Sequence, residues 1–536
     1  MIEKASLASN CLFSLTLVVV VAGAVAAQGR PDATVGTLTR AERTDYRETS
    51  SYADVMAFVE HVASGSPMLH LTSFGYSFEG RSLPLIVAGN VTDASPRTVL
   101  ATGKTRVYVQ GNIHAGEVCG KEALQVLLRS IANGEHAEWF DSLVLLIAPI
   151  YNADGNERVR LTNRGRQNGP IGGMGQRPNA QGYDLNRDHM KIDSPEARSL
   201  IGLMNEYDPH VVVDLHTTNG TTHAYYLTYS PPLNPSTHPA IDGFLRQDLL
   251  PAITRSTREK HGWDFYYYGN LPWRGGSNER GWYTFDHRPR FNNNYVGLRN
   301  RVAILGEAYA YASFEDRVKA SLWFTEEITN HVYRNASVVK RVVAEADATD
   351  LSGAELGLRA TVAPSEHPVQ ILLGEVEEGR NPYSGAPILR RLDVSIPESM
   401  PEFGTFRSTE TERVPAAYLV PGDLELVLSK LTDHGVQWSY VEESFTAQVE
   451  RFVIDSSTTA EREFQGHKER TLFGRYEPVE MTVSAGTARV PVAQPLGRLA
   501  FYLLEPRSDD GLVEWNVLDD AIEGSDHYPI IRTFQH

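Results

Sequence analysis

The sequence predicts an α/β fold, a mixed and mostly parallel sheet flanked by helices, followed by a C-terminal β-rich or α+β accessory region. Three observations carry that expectation. Four short β-branched runs, Arg106–Gln110, Leu143–Pro149, His210–Leu215 and Arg301–Gly306, are apolar almost throughout, as strands buried on both faces are. Helical periodicity fills the intervals, in Glu117–Ala132 and in the run after Ser194-Pro195-Glu196, where Ser194 reads as an N-cap and Pro195 as the first helical residue. Strands alternating with helices build parallel sheets. Past about Ala346 the period shortens to two, in segments such as VEMTVSAGTARVPVAQPLGRLAFYLLEP, and only Asp423–His434 reads clearly as a helix.

A chain of 536 residues is long for one core, so two or more domains are expected. The divisions are residues 1–27, 28–45 (a polar connector), 46–335 (the α/β part) and 346–536 (the accessory part). Leu12–Ala27 is an apolar run of signal-peptide length, shorter than a membrane span, with Ala24-Val25-Ala26 as a small-x-small cleavage pattern. It implies a secreted or periplasmic protein with no stable membrane insertion after cleavage. Glu3 offsets Lys4 in the preceding segment, which leaves a retained anchor open. The net charge of −17 disfavours a nucleic-acid partner. Of the two cysteines, Cys11 lies in the leader, so the mature chain keeps Cys119 and forms no internal disulfide. Packing is the simpler role for Cys119, two residues past Glu117.

Each buried run ends in reactive residues, on the sheet edge where α/β folds place their chemistry. In TRVYVQGNIHAGEV, Gly111 and Gly116 bracket a turn that carries His114 and Glu117. The second run leads into NADGNERVRLTNRGRQNG, the third reads HVVVDLH and ends on His216, and the fourth reads RVAILGE and ends on Glu307. Two His and one Glu make a ligand set for a catalytic zinc with an open position for water, one ion per chain. A carboxylate outside that set, Glu307, suits a general base. In GYDLNRDH, Asn186 and Arg187 offer donors for a carboxylate, and Asp184 can accept the outer N–H of a ligand histidine.

The ordered set of HxxE, NADG, DLNR, DLH and a Glu closing an apolar strand resembles the zinc carboxypeptidase family, the carboxypeptidase A-like metallopeptidases. SYADVMAFVEHVASGSP and FGYSFEGRSLPLIVAG are similar to that family's opening helix and hairpin, so the resemblance covers about residues 46–335. It implies that His114, Glu117 and His216 hold zinc and that Glu307 is general base and then acid. It further implies that Asn186 and Arg187 bind a substrate's terminal carboxylate, and that Asp184 orients His114. The family's oxyanion arginine falls on Arg164 or Arg166, the register fitting Arg166 slightly better. Its substrate-covering tyrosine falls on Tyr283 or Tyr295, with no clean match to the usual loop. Arg288, Arg290 and Arg299 in that stretch read as ordinary surface charge rather than as recognition of an acidic side chain. His434, His467 and His527 are too scattered for a second metal.

The expected function is hydrolysis of the C-terminal peptide bond of peptides with a free carboxylate. The alternative is a zinc amidase or deacylase acting on N-acyl amino acids or cell-wall peptides. A non-catalytic peptide-binding protein fits less well, because every ligand and the base are present.

Overall fold

A computed structural model describes residues 37–218, 220–272 and 278–535. The predicted signal peptide lies outside them. The strands of the N-terminal part, in chain order, are β1 (Leu69–Tyr76), β2 (Ser82–Ala88), β3 (Thr105–Gly111), β4 (Leu143–Ala148), β5 (Val211–Thr218), β6 (Leu227–Ser230), β7 (Phe265–Tyr267), β8 (Trp282–Tyr283) and β9 (Val302–Tyr309). Eight of them form one sheet in the order β1-β2-β4-β3-β5-β9-β6-β7. Its centre, β4-β3-β5-β9, is parallel, while β2 and β6 run antiparallel to their central neighbours. β3, β4 and β5 are buried at every position, which explains their unbroken apolar sequence. The fold class matches the expectation, and the parallel centre is built from the four runs singled out in the sequence.

The helices cover both faces. Tyr52–Ser64 starts on a Ser51/Asp54 capping box, and Pro195–Tyr207 starts as expected, with Ser194 accepting from the Ala197 amide. Cys119–Ala132 begins two residues later than its periodicity suggests, because His114–Glu117 forms a separate turn closed by the Glu117 amide on the His114 carbonyl at 2.8 Å. The polar connector contains a single helical turn, Arg40–Arg43, capped by Thr39 and Glu42.

Helix Ala336–Ala348 occupies the stretch where the sequence changes character. Beyond it lie three two-stranded ladders and a six-stranded antiparallel sheet, and Glu402–Phe403 pairs in parallel with β8. In that sheet, Ile531–Thr533 sits between Ala417–Val420 and the long strand Phe445–Thr459. Phe445–Thr459 in turn pairs with Arg470–Val483. GRLAFYLL, whose alternation suggested a strand, is instead helix Gly497–Leu504. It is buried on every side, and a short run buried all round carries no periodicity that separates helix from strand. One continuous hydrophobic core joins residues of the sheet, such as Val213 and Ile304, to Phe501 and Tyr418 of the C-terminal part.

Candidate metal centre and substrate pocket

The turn after β3 sets the centre. Asn112 adopts a left-handed backbone (φ 68°), and the 2.8 Å bond from the Glu117 amide to the His114 carbonyl brings His114 and Glu117 side by side. Gly116 is required there: a Cβ would lie 2.6 Å from Cγ of Arg164 and 2.8 Å from the Gly175 carbonyl. β5 runs alongside and carries His216. The ligand-type atoms of His114, Glu117 and His216 fall within 4.8 Å of one another, the one such group among the described residues.

Each histidine is held from behind. His114 has Nδ1 3.0 Å from Glu117 Oε1 and Nε2 2.9 Å from Asp184 Oδ1. His216 has Nδ1 2.9 Å from Glu117 Oε2 and Nε2 2.8 Å from Asp214 Oδ2. With the outer nitrogens fixed on aspartates, both Nδ1 atoms turn inward beside the Glu117 carboxylate. Ligands at zinc bond lengths and tetrahedral angles stand ~3.3 Å apart, close to these spacings. Two imidazoles, one carboxylate and two orienting aspartates therefore fit a zinc ion.

The local charge favours a cation. Burial alone would raise Glu117, but His114 and Arg164 outweigh it and hold its pKa well below the usual range. Burial opposes charge on His216, yet Asp214 and Glu117 push its pKa well above the ordinary value. The Asp184 carboxyl is likewise held low: burial opposes this, and His114 and Arg177 prevail.

Glu307 is the register partner of His216 on the adjacent strand, so both side chains emerge on the same face. Its Oε2 is buried with no hydrogen-bond partner among the described residues. Burial pushes its pKa up to about 7, with His216 opposing. A carboxyl with one buried oxygen, poised near neutrality in a cleft, suits proton transfer.

These groups line a cavity of about 140 Å³, together with Asn186, Arg187, Arg164 and Arg177. Asn186 accepts from the Asn292 amide through Oδ1 at 2.8 Å, which leaves its NH2 available to a ligand. The Arg187 guanidinium lies 3.6 Å over the Phe291 ring. Burial lowers its pKa to about 10, partly countered by Asp184, so it stays charged at neutral pH.

The choice of Arg166 is corrected. The Arg164 carbonyl accepts from the Gln167 amide at 3.2 Å, and this turn sends Arg164 inward and Arg166 outward. Arg166 is exposed, with its carbonyl bonded to the Leu389 amide, whereas Arg164 reaches Glu117 Oε1 at 2.9 Å and the Thr217 carbonyl at 2.7 Å. Both tyrosines are corrected too. Tyr283 stacks on Phe403 at 4.1 Å and donates to the Glu279 carbonyl. Tyr295 is wholly buried, with its hydroxyl 2.8 Å from His434 Nδ1. The tyrosine lining the cavity is Tyr268, edge-on to Phe285 and hydrogen-bonded by Asn270 at 2.9 Å.

Nor are the nearby arginines surface charge. Arg290 and Arg299 are buried, Arg290 on Asp510, Glu514 and Glu469, and Arg299 on the His434 carbonyl and Asn205. Arg288 pairs with Asp286. Cys119 is buried, its sulfur 3.0 Å from Thr217 Oγ1. Two contributors escaped the sequence reading. Arg177, in a glycine-rich loop, places Nη2 2.8 Å from Asp184 Oδ2 and faces the cavity. Asp214 had a signal, since it stands two residues before His216 and so shares its face of the strand.

Residues 55–285 match the family model described as zinc carboxypeptidase. Carboxypeptidase 2 of Trichophyton rubrum is 22% identical over 502 residues, spanning 89% of this chain and 85% of that protein. Carboxypeptidase D of Mus musculus is 33% identical over 144 residues, 23% of this chain and 10% of that protein. A solved metallo-carboxypeptidase from Burkholderia cenocepacia aligns over 54% of this chain and 70% of its own, with 18% identity and a TM-score of 0.41. Residues 55–285 thus carry a zinc carboxypeptidase-type metallopeptidase domain, within a chain that is similar over most of its length to proteins named as carboxypeptidases.

Proposed function

We propose that the protein removes the C-terminal residue from peptides that end in a free carboxylate. The observation that carries this reading is the company Glu307 keeps: a buried carboxylate oxygen, with no partner among the described residues, in one small cavity with the His114–Glu117–His216 group and the Arg187–Asn186 donors. The zinc held by His114, Glu117 and His216 supplies, when bound, a Lewis acid that polarises the scissile carbonyl and acidifies water. Arg187 and Asn186 capture the terminal carboxylate, the Arg187 fork already set by the Phe291 face beneath it. Glu307 takes a proton from the attacking water on Oε2 and passes it to the departing amine. Arg177, 40% exposed and cationic, is the guanidinium with room to meet charge developing on the carbonyl oxygen, while Arg164 is tied to Glu117 and Thr217.

A cavity of about 140 Å³ is small beside the ~300–1,000 Å³ of common ligand pockets, and suits the end of a chain rather than its middle. Secretion or export to a periplasm is part of the proposal and rests on the Leu12–Ala27 run. Among the described residues no helix is long and apolar enough to cross a membrane. The division into a catalytic part (46–335) and an accessory part (346–536) is likewise proposed as a division of labour.

The test is digestion of a mixed peptide set, each member with a free and an amidated C-terminus, with and without chelator, read by mass spectrometry. Chelator-sensitive loss of one residue from free-ended peptides alone is expected. Intact peptides alongside hydrolysed N-acyl amino acids or cell-wall peptides would replace this proposal with the amidase one.

A further inference from the structure

The C-terminal half reaches back toward the metal centre at a hairpin turn. Between the strands Phe445–Thr459 and Arg470–Val483, Phe464–His467 forms a tight turn closed by amide–carbonyl bonds in both directions, at 2.7 and 3.0 Å. Gln465 and Gly466 both have positive φ, 52° and 84°, as two-residue hairpin turns of this kind require. Gly466 is natural there, since a Cβ would come 3.1 Å from Tyr183 Oη. Glutamine is not, because a side chain in this region of φ is disfavoured. What Gln465 does with its side chain gives the reason: its Oε1 accepts from the Asp184 amide at 2.7 Å.

Asp184 spends its carboxylate on three partners, His114 Nε2, the Asn186 amide and the Arg177 guanidinium. Gln465 therefore fixes the backbone of the residue that orients a metal ligand. The turn itself is anchored. His467 lies 2.7 Å from Asp193 through Nε2 and 3.2 Å from Asn516 through Nδ1, and nearby Glu469 pairs with buried Arg290. Two residues on from Arg290, the Asn292 amide bonds Asn186. The 184–187 segment is thus gripped at Asp184 and at Asn186 by elements that lean on the C-terminal half.

We propose that Gln465 is a positioning residue for the zinc site, acting through Asp184 on His114, so that the accessory half is a working part of the metal centre. This rests on the assignment of His114, Glu117 and His216 as the zinc ligands.

The test uses the full-length protein and two variants. Gln465→Gly deletes the acceptor while relieving the positive φ, so the turn is not weakened, and Gln465→Glu keeps an acceptor oxygen. Zinc affinity is measured by competition with a chromogenic chelator, alongside melting of the chelated proteins and kcat and KM on a free-ended peptide. Gln465→Gly should lose zinc affinity about 10-fold, the lower end of the range for removing an outer partner of a metal ligand. Gln465→Glu should restore most of that affinity, and the melting of the chelated proteins should not separate them. Wild-type protein that binds zinc, with Gln465→Gly binding it equally well, overturns this inference alone. Wild-type protein that binds no zinc overturns the ligand assignment and this inference with it.

Discussion

Buried charge is used in opposite ways in the two halves of the molecule. In the C-terminal half it is answered inside the protein. Asp510 and Glu514 meet Arg290 of the sheet half at 2.9 and 3.0 Å, and Glu505 takes the hydroxyls of Tyr418 and Tyr476 at 2.6 and 3.1 Å. At the cavity of the sheet half, charge faces open space, and Glu307 Oε2 has no hydrogen-bond partner among the described residues. The first arrangement serves the fold and the second costs it something. A carboxyl held near neutrality by burial, with an oxygen that no described residue bonds, is a strain on stability retained for its chemistry.

The sharpest way to break this contrast is Glu307→Gln. Turnover should fall ~10²–10⁴-fold, the range for removing a general base, while zinc stays bound and thermal stability holds or rises slightly. Retained turnover, or a marked drop in melting temperature, would put Glu307 on the structural side of the comparison. Arg290→Met is the counterpart. Removing the cation strands Asp510 and Glu514 in the interior, and urea unfolding should report a loss of ~3–5 kcal/mol. A loss below 1 kcal/mol, on the order of an exposed ion pair, would show that the cluster is open to water.

Glu505 sharpens the same point through pH. Burial raises its carboxyl from 4.5 to about 7, against the pull of Arg532. The folded state therefore binds a proton that the unfolded state has lost. Stability from this group is full below about pH 4.5 and declines as pH rises through 7, by at most about 3 kcal/mol. Glu505→Gln should remove that slope, so that its stability relative to wild type improves between pH 5 and pH 8 in paired urea titrations. A difference that does not change with pH would mean that the Tyr418 and Tyr476 bonds already stabilise the ionised form. The smallest effect is expected at the cavity wall. Tyr268→Phe deletes one hydroxyl and should change kcat/KM by ~2–10-fold, the worth of a single neutral hydrogen bond, leaving zinc affinity alone. Loss of zinc in that variant would place Tyr268 with the metal shell instead.

The parts of this site that can be read from sequence are those fixed by a strand. His216 and Glu307 follow from period-two placement at the ends of apolar runs, and His114 and Glu117 from a glycine-bounded turn after another. Loop residues resist such reading, because which side chain turns inward depends on backbone angles that residue type does not announce. Arg164 and Arg166 both have positive φ, 53° and 71°, yet one faces Glu117 and the other solvent. The tyrosines fail for a second reason. Tyr295 is claimed by His434 and Tyr283 by Phe403, partners more than a hundred residues downstream that no local pattern reveals. Gly497–Leu504 fails for a third, since complete burial erases the periodicity that distinguishes helix from strand.

The placement of Ile531–Thr533 carries a consequence for how the protein comes into being. This strand is the link that joins Ala417–Val420 to Phe445–Thr459 across the six-stranded sheet. Synthesis delivers residues in order, so the nascent chain has its eight-stranded sheet, its histidines and Glu307 long before that link emerges. Until then the hairpin bearing Gln465 has no completed sheet to hold it. If Gln465 positions Asp184 as proposed, a chain still being made carries His114, Glu117 and His216 before the brace behind them is in place.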